Sequence, residues 1–294
     1  MEHKKKFEDK IEKLNNYFDI KIYSKSKKAV VTFFVYEKIT KDLKGILSLF
    51  ISANLKFDRE TTIYIFTNHL DLEKDFNSER IVFCYFPKLD SEVMTNRVIF
   101  NYYAIKLFFS FDQLFLFDTD LIPIKPYTNA LKSNYDIGLT ISNDWFKYNK
   151  FPINAGFLIC NNNNQERINN FRNLYINSYE KVLDLENQIL KLKLVSHKPV
   201  SLCKWWGDQY LFFIMFEFKF PNGVKNYFDT NKNKIDYRFF NEWNYNHQSA
   251  DLKQASFDFK IDEFIKKISN ISFIHLKGDN KKFADEFSKN LIKK

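Results

Sequence analysis

The stretch Phe111–Pro126, FDQLFLFDTDLIPIKP, decides the reading of this chain, because a continuous apolar run ends there in two aspartates one residue apart. A short run such as Leu114 to Phe117 predicts a strand covered on both faces. Asp118 and Asp120 then stand at its carboxyl end, where open α/β sheets bind their ligands. Two neighbouring carboxylates can share one divalent cation, which also takes substrate phosphates as ligands. No other Asp-x-Asp occurs in the sequence.

Outward from this run, the pattern alternates. Ala29 to Tyr36, Thr61 to Phe66 and Arg80 to Phe86 predict strands, rich in β-branched and aromatic residues. Asp42 to Asn54 and Asn96 to Phe109 have helical spacing. Tyr135 to Ile141, Ile153 to Cys160 and Ile271 to His275 predict further strands, and Glu166 to Leu194 an amphipathic helix. Trp206 to Phe218 opens with a turn and continues as a helix or a buried strand. Asn161 to Asn164 reads as a polar turn, residues 221 to 260 as loop-rich, and the end as a lysine-rich tail. Strands alternating with helices imply an α/β fold with a mainly parallel sheet. No repeat or linker divides the chain, so the expectation is a lysine-rich extension over 1–28 and one domain over 29–294.

The 294 residues are 45% hydrophobic with 34 Phe, a globular composition. The net charge of +9 comes from scattered lysines and not from one basic face, which argues against nucleic acid as a partner. Cys84, Cys160 and Cys203 match no metal or redox spacing, and a reducing, cytoplasmic setting is expected. Met1 to Lys10 lacks the apolar centre of a signal peptide. The basic tail, with Phe283 and Phe287 between lysines, is either a solvated helix or a peripheral membrane contact. His3, His69, His197 and His247 read as surface or loop residues, and Lys106 as a solvated helical lysine.

With only six glycines in the chain, their neighbours are informative. Gly156 lies in Asn154-Ala155-Gly156, Gly207 precedes Asp208-Gln209, and Gly278 lies in His275-Leu276-Lys277-Gly278-Asp279-Asn280-Lys281. The succession Asp-x-Asp, Asn-Ala-Gly, Asp-Gln, His-x-x-Gly-x-x-Lys resembles the retaining glycosyltransferases of family 8, the lipopolysaccharide galactosyl- and glucosyltransferase and glycogenin-like enzymes. It covers roughly residues 29 to 283. The resemblance implies the GT-A nucleotide-diphospho-sugar transferase fold, a Rossmann-like sheet flanked by helices. It also implies Asp118, Asp120 and His275 as ligands of Mn²⁺ or Mg²⁺, and Lys281 as the contact to the donor diphosphate, with Gly278 giving it room. Asn154, Ala155 and Gly156 would line the donor sugar, and Asp208 and Gln209 would stand beside its anomeric carbon. Tyr36 is a candidate to stack on uracil and equally a packing residue. Asn241 and Trp243 lie in a segment resembling the family's active-site loop, and Trp205, Trp206 and Trp243 are either buried or a sugar platform.

The sequence departs from the family where Lys282 and Phe283 follow Lys281 in place of Pro and Trp, and where Tyr210-Leu211-Phe212-Phe213 follow Gln209. Chemically the set is coherent. Departure of a nucleoside diphosphate builds negative charge, which a divalent cation and a lysine stabilise. The expected function is transfer of a hexose from a UDP-sugar, UDP-glucose or UDP-galactose, to a glycan or glycolipid acceptor in polysaccharide biosynthesis, with retention. The alternatives are a non-catalytic adaptor with the same shell and a haloacid-dehalogenase-type phosphatase, whose Asp-x-Asp belongs after the first strand.

Overall fold

The first strand shows how the core is divided. β1 (Lys28–Phe34) sends Val30 and Phe34 into one apolar cluster and Ala29 and Val31 into another, one on each side of the sheet. That two-faced burial is why the strand reads as apolar throughout. The computed structural model describes residues 9–10, 12–14, 26–89, 93–129, 131, 134–141, 153–191, 207–216, 228–232, 234–245, 263–264, 266 and 270–292.

α1 (Lys41–Phe57) starts where the Thr40 hydroxyl accepts the Leu43 N–H, with Asp42 in its first turn and Lys56 in its last, both favourable to the helix dipole. Its Ile46, Leu47 and Phe50 pack on the Val30–Phe34 side. α2 (Val93–Leu107) covers the opposite side with Val98, Ile99 and Ile105, joined there by α3 (Gln165–Lys191) and α4 (Gly207–Met215).

The remaining strands of the central sheet are β2 (Thr62–Thr67), β3 (Ile81–Tyr85), β4 (Gln113–Phe117), β6 (Ile137–Ile141), β7 (Ile153–Asn161), β8 (Phe228–Lys232) and β9 (Ile235–Asn241). Their order is β3-β2-β1-β4-β7-β6-β9-β8. Four of the seven neighbouring pairs are parallel, and β7 runs antiparallel between β4 and β6. This is the mainly parallel α/β sheet expected from the sequence. β5 (Leu121–Pro123) and β10 (Phe273–His275) form a separate antiparallel pair.

Two expectations are corrected. Within residues 221–260 lie the β8–β9 hairpin and α5 (Glu242–Tyr245), since Ile235, Tyr237 and Phe239 alternate into the core as a strand requires. The lysine-rich tail is not free: α6 (Ala284–Phe287) and the turn Ser288–Ile292 bury Ala284, Phe287 and Leu291. Lys56 Nζ caps that turn on the Leu291 carbonyl at 2.7 Å. The polar turn expected at Asn161 to Asn164 is present, with residues 162 and 163 in turn conformation, and its first two residues also bond neighbouring segments. Asn161 is buried at the end of β7 and bonds Gln113 and the Tyr135 carbonyl, while Asn162 reaches the Phe108 carbonyl.

Of the segment 1–28, positions 9–10 and 12–14 are helical, and Leu14 is buried in the core. Among the described residues no helix is long and apolar enough to cross a membrane.

Candidate metal and donor site

The strand order fixes where a crevice opens. β1 has β2 on one side and β4 on the other, so the chain reverses direction of travel across the sheet there, and ligands bind beyond the carboxyl ends of strands at such a point. Asp118 follows β4 directly, its N–H bonded to the Gly156 carbonyl at 2.9 Å. The turn is closed by the Leu121 N–H on the Asp118 carbonyl at 2.9 Å. Thr119, between the two aspartates, donates to the Phe33 carbonyl at 3.3 Å and therefore accepts from the Thr32 hydroxyl at 2.9 Å, since it has one hydrogen. β10 then lays His275 opposite Leu121, with the Leu276 N–H on the Asp120 carbonyl at 2.8 Å.

These bonds bring together the three residues expected as metal ligands. His275 Nε2 lies 2.9 Å from Asp120 Oδ1 and 3.7 Å from Asp118 Oδ2. One ligand atom from each residue lies within 4.8 Å of the others. Two carboxylates and one imidazole are donors that suit Mn²⁺ or Mg²⁺, with the imidazole favouring Mn²⁺. Lys281 Nζ stands 3.2 Å from Asp120 Oδ2. Burial works to raise the Asp120 carboxyl, but the charge and hydrogen bond of His275, followed by Lys281, hold it well below the usual carboxylate range. Burial likewise opposes the charge on Lys281, and Asp120 outweighs it.

The wall beside this cluster comes from β7. Pairing with β6 shifts register after Leu139, which pairs with Leu158, to Thr140, which pairs with Asn154. This irregularity sets Asn154, Ala155 and Gly156 against the aspartates, a common use of bulges near sites. Asn154 Oδ1 accepts the Gly156 N–H at 3.0 Å. A Cβ on Gly156 would stand 2.4 Å from Asp118 Oδ2, so glycine is required to let the carboxylate lie there. Gly278 differs: it has open space where a Cβ would be, and its φ of 58° is what calls for glycine.

Arg97, which the sequence did not single out, is the centre of the arrangement. Nη2 lies 2.6 Å from Asp118 Oδ1 and donates to the Ala155 carbonyl at 2.8 Å, while Nη1 lies 3.2 Å from Asp208 Oδ2. The available signal was an arginine in a helix whose other faces are apolar, since a buried guanidinium demands anions. Asp208 opens α4 and is 1% exposed. Burial pushes its carboxyl up, against the pull of Arg97. Among the described residues, buried Asp208 Oδ1 and Gln209 Oε1 have no hydrogen-bond partner.

Tyr36 lies beyond β1 with its ring edge-on to Phe34, at 4.9 Å. Burial pushes its phenol up, and Lys281, Asp120, Asp118 and Arg97 all lie within electrostatic reach of it. His69 is no bare surface residue, since its Nε2 reaches the Tyr36 carbonyl at 2.7 Å. Lys106 is exposed, with its ammonium over Tyr103. Asn241 ends β9. Trp205, Trp206, Cys203, His3, His197, His247 and the side chain of Trp243 lie outside the described residues.

No family model matches the chain, and no curated protein matches it. Among solved structures it is similar to the glycosyltransferase GlyE of Streptococcus pneumoniae TIGR4, at 17% identity over 87% of this chain and 56% of GlyE, with a TM-score of 0.43. It is also similar to the bifunctional glycosyltransferase WbbM, at 14% identity over 92% of this chain and 50% of WbbM, with a TM-score of 0.49. The galactosyltransferase LgtC, solved with donor and acceptor sugar analogues, is 12% identical over 90% of this chain and 95% of LgtC, with a TM-score of 0.44. The chain thus spans little more than half the length of GlyE and WbbM.

Proposed function

We propose that the protein is a divalent-metal-dependent glycosyltransferase of the GT-A type, allied to family 8. It moves a hexose from a UDP-sugar to a glycan or lipid-linked acceptor with retention of configuration. The observation that carries this reading is the convergence of Asp118, Asp120 and His275 with Lys281 directly behind Asp120. Asp118, Asp120 and His275 would hold Mn²⁺ or Mg²⁺, which supplies Lewis-acid stabilisation to a departing diphosphate.

The chain's own groups then have distinct tasks. Lys281 stays charged and offers donors to the phosphoryl oxygens. Arg97 locks Asp118 and Asp208 in place, so neither carboxylate reorganises as charge develops. Asp208 and Gln209, whose Oδ1 and Oε1 have no partner among the described residues, would stand beside the sugar and stabilise positive charge at its anomeric carbon. Gly156 keeps the wall thin beside Asp118.

The test is release of nucleoside diphosphate from UDP-, GDP- and CMP-activated sugars, with Mn²⁺ and with chelator. Metal-dependent turnover of a UDP-hexose is expected. Absence of both turnover and donor binding across the panel would overturn the proposal.

A further inference from the structure

Tyr36 lies two residues beyond the end of β1, yet its peptide group is held on both sides. Its N–H donates to Asn68 Oδ1 at 3.2 Å, and its carbonyl accepts from Asn68 Nδ2 at 2.9 Å and His69 Nε2 at 2.7 Å. Because a carbonyl only accepts, the hydrogen is on His69 Nε2. The Asn68 amide therefore meets Tyr36 as one peptide meets another in a ladder. It prolongs the β1–β2 pairing beyond its last backbone partners, Phe34 and Thr67.

Strand ends can leave such groups to water, and Tyr36, Asn68 and His69 are all only partly buried. What the three bonds fix is the course of the chain at Tyr36, and with it a ring that packs on Phe34 and a phenol within electrostatic reach of Lys281, Asp120, Asp118 and Arg97. The phenol, raised by burial, keeps its hydrogen at neutral pH and is a donor.

We propose that Asn68 and His69 are positioning residues for the nucleotide, clamping Tyr36 so that its ring and hydroxyl form the wall beside the Asp120–Lys281 pair. This rests on the nucleotide-sugar reading above. A wall ordered before the ligand arrives spares the ordering cost at binding, so the clamp acts on affinity and not on bond breaking. Neither residue touches the ligand; both act through Tyr36.

The experiment measures binding of UDP, GDP and ADP with Mn²⁺ by calorimetry, and donor kinetics, for wild type, Asn68→Ala, His69→Ala, His69→Gln, Tyr36→Ala and the double variant of Asn68→Ala with Tyr36→Ala. Asn68→Ala is expected to raise Kd for the preferred nucleotide about five- to tenfold, with KM rising and kcat nearly unchanged. In the Tyr36→Ala background the same change should alter Kd by less than about twofold. His69→Gln, whose amide can still donate to the Tyr36 carbonyl, should recover most of what His69→Ala loses. Thermal unfolding is recorded for each; if Asn68→Ala melts far below wild type, Asn68→Asp, which keeps the acceptor and lacks the donor, replaces it. Equal losses in both Tyr36 backgrounds, or a fall in kcat at constant KM, would overturn the clamp while the function stands. Failure of the wild type to bind any of the three nucleotides would overturn the function reading and the clamp with it.

Discussion

Arg97 and Asp118 stand 2.6 Å apart through Nη2 and Oδ1, while the other Asp118 oxygen is turned toward His275. One carboxylate thus belongs to two systems, a fixed guanidinium on α2 and a candidate cation site completed by β10. Asp208 shares the same guanidinium, so the proposed metal ligands and the proposed sugar contact are mechanically joined through a single side chain.

Replacing Arg97 with Met should destabilise the fold by about 3–5 kcal/mol, because Asp208 would keep a buried charge without its partner. Arg97→Lys should recover little, since an ammonium cannot span Asp118, Asp208 and the Ala155 carbonyl at once. Urea unfolding checks both; a loss below about 1 kcal/mol would mean the pair is screened as at a surface.

Asp120→Asn should weaken Mn²⁺ binding at least about tenfold, as a ligand contributes no less than the groups that orient it. Titration followed by the Mn²⁺ electron paramagnetic resonance signal reads this without any turnover. Unchanged affinity would remove Asp120 from the metal site.

Asp120 also gives a pH dependence whose sign is set. Its folded-state value is depressed, so between the unfolded value near about pH 4 and that lower value the unfolded chain binds more protons. Stability from this group is full above about pH 4 and is lost as the pH falls further. Acid unfolding curves should be steeper for wild type than for Asp120→Asn. Parallel curves would show that the carboxylate is not held as described.

Gly156→Ala should cost about 1–3 kcal/mol through overpacking, because the added methyl would press on Asp118 Oδ2 at 2.4 Å. Metal affinity should fall along with stability, since the strain is relieved by moving the carboxylate. A variant with unaltered Mn²⁺ binding would show that Asp118 is not a ligand.

Burial pushes the Cys84 thiol up to about 12 and raises Cys160 as well. Neither should be labelled by Ellman's reagent in the native protein at mildly alkaline pH, and both should react in guanidinium. Peptide mapping distinguishes them from Cys203. Rapid native labelling of either would mean that the core around it opens.

Much of this site was legible because its signals are local. An apolar run ending in Asp118 and Asp120 announces a strand and its carboxyl end, and the structure adds only the partners. Arg97 was hidden because its significance depends on Asp118, Ala155 and Asp208, three segments that only the folded sheet brings together. His69 was read as a surface or loop residue and does lie in the loop after β2, but its partner is a backbone carbonyl that no side-chain pattern reveals. For Gly278 a special backbone conformation and close approach of a substrate were both open readings, and the left-handed φ supports the first. The β8–β9 hairpin escaped because polar Asp229, Asn231 and Lys232 mask strand alternation on that edge.

The β5–β10 pair has a consequence for the timing of assembly. The eight described strands of the main sheet have been synthesised once residue 241 is in place, yet His275 and Lys281 follow later and reach the aspartates only when β10 pairs with β5. A chain cut or stalled between these points would hold the strands of the sheet but lack the apolar Phe273, Ile274, Phe287 and Leu291 that cover one side of it, and one of the three candidate cation ligands. If the proposed reading holds, donor turnover would report the pairing of β10 with β5 as well as the formation of the main sheet.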